Sequence, residues 1–250
     1  MNKETWNAFR KTVNRYRLEV EKITAAVPNL AAIIQKLIDS REGPSYQAET
    51  PAVFNQALDD FTEQSSIKLI LVGDNPGRRE QENRRYLVGP SGKIAEKFFL
   101  KNFAPEIDWR KNVLILNKTP IHTPRTAELK TLYTLGGIKT EEIILSSQKT
   151  MAELLHDFWL VLSGESGRTV PVWIIGYSEM KKGGIFEIYT ETLKTICSKN
   201  TAFGESIYFF RHFSMNQFTI DLKKRAINGE STQKSLERIG KAYRRQILGF

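Results

Sequence analysis

The chain has 250 residues, of which 40% are hydrophobic and 26% are charged, so it can bury the core of one domain with an appendage. It has no uncharged apolar run of about 18 residues and no basic-then-apolar leader, so a cytoplasmic protein without a membrane span is expected. A single cysteine, Cys197, excludes internal disulfides and thiolate-based metal centres, and no metal or other cofactor is predicted. The formal net charge of +9 favours a polyanionic partner.

The N-terminal residues have helical periodicity. Apolar side chains from Trp6 to Val27 recur at alternating spacings of three and four residues, and Pro28 and Asn29 interrupt the pattern. A second helical stretch, residues 30–38, directs its apolar side chains towards the same side as the first. These segments predict an antiparallel helical hairpin, which we expect to pack on the main domain rather than to bind a partner.

The remainder of the chain alternates between strand and helix patterns. Glycines and prolines in residues 41–66 indicate a connection, so we divide the chain into a helical extension with its connection, residues 1–62, and an α/β domain, residues 63–250. Four short apolar runs follow, at residues 67–73, 113–117, 170–176 and 207–212. Helical periodicity between these runs predicts a four-stranded parallel sheet between two helical layers, which is a three-layer sandwich.

Polar residues follow the first apolar run, where a parallel sheet forms its ligand sites. The run ends in Gly73, Asp74, Asn75, Pro76 and Gly77, a composition that turns sharply and can present a carboxylate and an amide to a cleft. The same composition is typical of an ordinary β-turn, so a purely structural role is the alternative.

Three further elements occupy comparable positions. Residues 86–92 lead into a predicted helix, for which Ser91 is a candidate N-cap. Asn117 ends the second run, where its amide can pair with the edge of a pyrimidine or satisfy local backbone groups. His212 ends the fourth run and can donate a hydrogen bond to a developing oxyanion or have a structural role.

In this order, the elements resemble the uracil-DNA glycosylase superfamily over residues 67–220. The shared features are Gly-Asp-Asn-Pro-Gly after the first strand, Tyr-Leu-Val-Gly-Pro-Ser-Gly before the next helix, Asn117, Gly176 and a final His-x-Ser. The resemblance implies the fold of that superfamily and hydrolysis of the N-glycosidic bond of uracil or another deaminated base in DNA, as in base excision repair. The N-terminal hairpin lies outside it.

The resemblance also implies catalytic and base-binding roles. Asn75 matches the position that holds the hydrolytic water, and Asp74 matches the acidic position used by another branch of the superfamily. His212 matches the histidine that stabilises negative charge on the base. Asn117 matches the amide that recognises the flipped base.

Stacking and DNA contacts are implied in the same way. Leu87 stands where the family usually has a phenylalanine that stacks on the base, so stacking by the neighbouring Tyr86 is the alternative. Residues 215–218 match the loop that wedges into the duplex. The residues implied in DNA contact are Gly77, Ser91, Ser214, Met215, Asn216 and Phe218.

Three hypotheses follow. The leading one is a monomeric, monofunctional glycosylase of the uracil-DNA glycosylase type, which acts on DNA with water and no cofactor. Because Leu87 replaces the stacking aromatic and Phe213 replaces a family proline, the second is a nucleic-acid-binding protein of the same fold with weak or no catalysis. The third is a hydrolase of small nucleosides or nucleotides, for which the positive charge is incidental.

Overall fold

The computed structural model describes residues 1–164 and 169–250. Its centre is a parallel sheet with the strand order β2-β1-β3-β4. The strands are β1 (Leu69–Gly73), β2 (Val113–Asn117), β3 (Val172–Ile175) and β4 (Ile207–Phe210). The helices are α1 (Lys3–Ala26), α2 (Leu30–Asp39), α3 (Arg78–Asn83), α4 (Pro90–Phe103), α5 (Leu129–Ser163), α6 (Glu187–Lys199), α7 (Thr201–Ser206), α8 (Gln217–Lys224) and α9 (Thr232–Leu248). The predicted α/β class with a four-stranded parallel sheet between helical layers is confirmed.

The strands form where the apolar runs occur, and β1 is buried at every position. Three of the predicted strands are longer than the observed ones. Ile67, for example, is buried beside the core but lies outside the sheet. The register pairs Gly73 of β1 with Asn117 of β2, so the polar residues that follow both strands lie at the same edge.

Helices cover the sheet as the alternating pattern predicts. On one face, Phe99 of α4 lies 5.6 Å from Trp173, ring to ring, and Gly240 of α9 lies against Tyr208 of β4. The second helical layer consists of α5, which packs against α1, α2 and α6. Within α5, Gly137 has a positive φ of 70° and marks a kink.

The N-terminal hairpin is confirmed and shares its core with the α/β domain. Asn2 caps α1 by accepting a hydrogen bond from the Thr5 backbone amide, and Phe9 packs on Phe158 of α5 with ring centres 5.6 Å apart. Among the described residues, no helix is both long and apolar enough to span a bilayer.

Candidate active site

A cavity of about 560 Å³ opens at the carboxyl ends of β1, β2 and β4. Nine of the predicted site residues line it, namely Asp74, Asn75, Gly77, Leu87, Ser91, Asn117, His212, Ser214 and Met215. Three predicted site residues, Tyr86, Asn216 and Phe218, do not line it. The structure therefore brings together side chains that are far apart in the sequence.

Asn117 lies at the inner end of this cavity. Its side chain is only 3% exposed, yet its amide has no hydrogen-bond partner among the described residues. Gly73, its neighbour in the register, makes room for it, because a Cβ at Gly73 would lie 2.5 Å from Asn117 Oδ1. A side-chain amide at a cavity wall without protein partners has both a donor and an acceptor available for a ligand.

Asn75 is held by the loop that follows β2. Its Nδ2 donates to Thr123 Oγ1 at 2.8 Å and to the Ile121 carbonyl oxygen at 3.2 Å. Its Oδ1 has no partner in the described part of the chain. The amide therefore has an acceptor left at the cavity, as a group that orients water needs.

Asp74 forms an ion pair with a lysine that sequence reasoning missed. Lys118 is fully buried, and its Nζ donates to Asp74 Oδ1 at 2.5 Å. The carbonyl oxygens of Ile175 and Gly73 accept from the same Nζ at 2.6 and 3.3 Å. Burial lowers the pKa of Lys118, and Asp74 opposes that shift. The only sequence signal for this pair is the position of Lys118 directly after Asn117.

The Asp74 carboxylate also lies against Gly176. That glycine has a φ of +79°, and a Cβ there would lie 2.4 Å from Asp74 Oδ1. Glycine is needed at this position both for the left-handed backbone and for the close approach.

His212 is held as a hydrogen-bond donor. The backbone amide of Ser214 donates to its Nδ1 at 3.0 Å, so the neutral ring has its proton on Nε2. Nε2 has no partner among the residues that the structure describes. Burial lowers the pKa of His212 and outweighs the opposing effect of Asp74, which favours the neutral ring.

Leu87 forms one wall of the cavity in a left-handed backbone conformation, with φ 50°. Its backbone amide donates to Glu80 Oε1 at 2.8 Å, and its carbonyl oxygen accepts from Arg110 Nη2 at 2.8 Å. Glu80 also accepts from the Gly77 amide at 2.6 Å, and burial raises its pKa. A Cβ at Gly92 would lie 1.7 Å from the Leu87 carbonyl oxygen, so this glycine is required for the turn.

The expectation that Tyr86 can stack on a base is wrong. Tyr86 is fully buried away from the cavity, and its hydroxyl donates to the Val53 carbonyl oxygen at 2.6 Å and lies 2.5 Å from the Tyr16 hydroxyl. Leu87 has a left-handed backbone conformation, and the side chains of the two neighbours project to different sides. Leu87 is the member of this pair that lines the cavity.

The predicted wedge loop also contains one buried residue and one residue that lines the cavity. Phe218 is 2% exposed and stacks on Phe213 with ring centres 4.3 Å apart, so its assignment to DNA contact is wrong. Asn216 is exposed but does not line the cavity. Met215 is 81% exposed at the cavity, and both it and Asn216 have positive φ values, of 48° and 58°. Strained backbone of this kind is often found at functional sites.

Ser91 lies at the start of α4, but it is not the N-cap that the sequence predicts. Gly89 occupies the cap position, and Pro90 begins the helix. Ser91 therefore lies in the first turn, where backbone amides without helical partners can bind an anion.

His122, in the loop after β2, and Tyr46, in the predicted connection, support the turn after β1. His122 is fully buried, its Nδ1 donates to the Pro76 carbonyl oxygen at 2.8 Å, and its Nε2 accepts from the Tyr46 hydroxyl at 3.0 Å. Burial lowers the pKa of His122 to about 4 and raises that of Tyr46 to about 12. Sequence reasoning assigned no role to this chain of contacts, because its members are 46 and 76 residues apart.

Basic side chains lie at the rim of the cavity. Arg79 and Arg125 are exposed lining residues and form no ion pair with any residue that the structure describes. Arg78, which also lines the cavity, is paired with Glu82 at 2.8 Å. Two unpaired guanidinium groups beside a cavity can bind phosphate.

No three His, Cys, Asp or Glu side chains within residues 1–164 and 169–250 are grouped so as to hold a metal ion. Scans of the chain against protein-family models and against curated proteins find no match.

Proposed function

We propose that the protein is a DNA glycosylase that hydrolyses the N-glycosidic bond of uracil or another deaminated base. The observation that carries the proposal is that Asn117, His212 and Asn75 line one cavity, each with a side-chain polar atom that no described residue occupies. These groups match the needs of a reaction that develops negative charge on a leaving base and adds water to the sugar. The resemblance of the motifs to the uracil-DNA glycosylase superfamily supports the same activity.

The base would be bound by Asn117 and His212. The Asn117 amide offers a donor and an acceptor to the edge of an extruded base. When the bond between the base and C1′ breaks, its electron pair stays on the base. The Nε2 proton of neutral His212 can then donate to the base oxygen that gains charge, and fixed donors of this kind are worth about 3 kcal/mol in a buried site.

The water would be bound by Asn75. Its Oδ1 accepts a hydrogen bond from the water and directs the water oxygen to C1′, where the new C–O bond forms. The water oxygen keeps one proton in the new C1′ hydroxyl, and the other proton finally passes to the anionic base. Asp74 is held beside this position by Lys118, so its charge can stabilise the positive sugar in the transition state.

Phosphate contacts and a wedge would supply the energy for base extrusion, which costs a few kcal/mol. Arg79, Arg125 and the first turn of α4 at Ser91 are available to phosphates at the rim. Met215 projects from the strained loop and can fill the gap left in the duplex. These features favour a polymer over a free nucleoside.

One observation favours a second candidate, a nucleic-acid-binding protein of this fold with little catalysis. Leu87 lines the cavity where the family usually has a stacking aromatic, and Tyr86 does not replace it. An aliphatic side chain lacks the stacking interaction that an aromatic ring gives to a base, worth about 1–3 kcal/mol.

The deciding experiment is incubation of the protein with oligonucleotides that contain uracil, hypoxanthine or xanthine, followed by alkaline cleavage at abasic sites. Cleavage of at least one substrate supports the proposal. Salt-dependent binding without any cleavage would support the second candidate, and release of base from free nucleosides alone would indicate the small-molecule hydrolase.

The variant Asn117→Asp tests base recognition in the same assay. We expect reduced activity on uracil and a relative gain on a base with an exocyclic amine, because a carboxylate lacks the amide donor. An equal loss on every base would contradict the recognition role of Asn117.

A further inference from the structure

Thr123 is one of the residues that line the cavity, in the loop after β2. Its side chain is 1% exposed, and its hydroxyl joins two groups. Thr123 Oγ1 accepts from Asn75 Nδ2 at 2.8 Å and donates to the Arg125 carbonyl oxygen at 2.9 Å. The hydroxyl forms no hydrogen bond with any other residue that the structure describes.

The direction of each hydrogen bond follows from the chemistry of the partners. A carbonyl oxygen can only accept, so the single Thr123 proton is committed to Arg125. The hydroxyl can then only accept on its Asn75 side. The Ile121 carbonyl oxygen, 3.2 Å from the same Nδ2, also only accepts. The Pro76 carbonyl oxygen, 3.5 Å from Nδ2, is a third acceptor, and Thr123 Oγ1 is the nearest of the three. All three require the NH₂ group of Asn75, so its Oδ1 must be the atom left free.

We propose that Thr123 is a positioning residue that sets the orientation of the Asn75 amide, so that Asn75 presents an acceptor to the hydrolytic water. This inference rests on the proposed function, in which Asn75 holds that water. An amide in the opposite orientation would offer donors, which would turn the water's lone pairs away from the sugar.

The position of the loop does not depend on this hydroxyl. The backbone amide of Thr123 donates to the Pro76 carbonyl oxygen at 3.2 Å, and the His122 amide donates to the Pro51 carbonyl oxygen at 2.9 Å. His122 Nδ1 adds a further bond to Pro76. Removal of the hydroxyl alone therefore leaves the loop attached and changes chiefly the partner of the Asn75 amide.

The test uses Thr123→Val, Thr123→Ser and the control Thr190→Val. Thr190 is a comparable buried threonine in α6, 2% exposed, whose hydroxyl bonds to the Met180 and Phe186 carbonyl oxygens away from the cavity. In single-turnover reactions we expect Thr123→Val to be about tenfold slower, because it loses a bond that holds the reacting geometry. We expect Thr190→Val to keep the wild-type rate and Thr123→Ser to recover most of it.

Two additional measurements separate positioning from a general structural effect. In an Asn75→Ala background, Thr123→Val should cause no further loss of rate, since a positioning residue acts only through the group that it positions. In ¹⁵N-labelled protein, the Asn75 side-chain amide hydrogens should exchange faster with solvent in Thr123→Val than in Thr190→Val.

Equal rates for Thr123→Val and Thr190→Val, or additive losses with Asn75→Ala, would overturn the proposal. Full activity of Asn75→Ala would overturn both the water-binding role of Asn75 and this inference. If the wild type cleaves no substrate, the proposed function fails, and the amide exchange measurement still decides whether Thr123 orients Asn75.

Discussion

Lys118 Nζ lies 2.5 Å from Asp74 Oδ1, and the lysine has no exposed surface. A buried ion pair depends on both partners, because removal of one leaves the other charge without compensation. The pair joins the turn after β1 to the end of β2. It therefore affects both the stability of the fold and the geometry of the cavity.

We expect Lys118→Met to lower the free energy of unfolding by about 3 kcal/mol or more, since it leaves the Asp74 carboxylate without its buried partner. Urea titration measures the change. Lys194→Met is the matched control, because Lys194 pairs with Glu191 at an exposed site and should cost less than about 1 kcal/mol. Asp74→Asn in the Lys118→Met background should restore part of the loss. A cost for Lys118→Met equal to that of Lys194→Met would contradict this account.

Asn75 and Asp74 are the two candidates for handling the water. If Asn75 binds it, Asn75→Ala should lower the single-turnover rate by about 100-fold or more with little change in DNA affinity, because the lost interaction acts in the transition state. Asp74→Ala should then have the smaller effect on rate per folded molecule. A dominant effect of Asp74→Ala, with a rate that falls on acidification, would instead assign the water to the carboxylate.

Met215 and Phe218 should respond differently to truncation. Met215→Ala should impair duplex substrates more than single strands without loss of stability, because its side chain is 81% exposed and only a duplex must be held open. Phe218→Ala should instead destabilise the fold by about 3–5 kcal/mol, as expected for a buried phenylalanine. The assays are single-turnover cleavage and urea titration. Equal loss on both substrates for Met215→Ala would exclude a wedge.

His122 should make the fold sensitive to acid. Its pKa is about 4 in the folded protein, mainly because of burial. An unfolded chain has an ordinary histidine pKa of about 6.5, so acidification protonates the unfolded state first. Stability should therefore be lost as pH falls from about 6.5 towards 4, by about 2 kcal/mol from this residue at pH 5.

Urea titrations of the wild type and His122→Gln at pH 8 and pH 5 measure this contribution. Glutamine retains an amide donor for the Pro76 carbonyl oxygen but does not titrate, so the variant should lose less stability on acidification. Burial also lowers the pKa values of His156 and His212. Both proteins contain these two residues, so their contributions to the loss of stability cancel in the comparison. The same loss in both proteins would show that His122 does not titrate with a depressed pKa.

The sequence by itself determined the architecture and much of the cavity. Apolar runs at intervals typical of strands, separated by helical periodicity, specify a parallel sheet, because burial on both faces requires such runs. Polar residues at or just after the carboxyl end of a strand, such as Asn75, Asn117 and His212, must then lie at one edge of that sheet. Strand position therefore directed attention to these three residues, and the order of the motifs, which resembles a known superfamily, selected them as candidate site residues.

Only the tertiary structure decided which side chains face the cavity where the chain turns. A left-handed residue at Leu87 sends Tyr86 into the core, and Met215 rather than Phe218 remains outside. Lys118 and Thr123 have their hydrogen-bond partners on other elements of the fold, Asp74 and Asn75. Such contacts depend on long-range packing and on the direction of each side chain, and neither is encoded in the local spacing of residues.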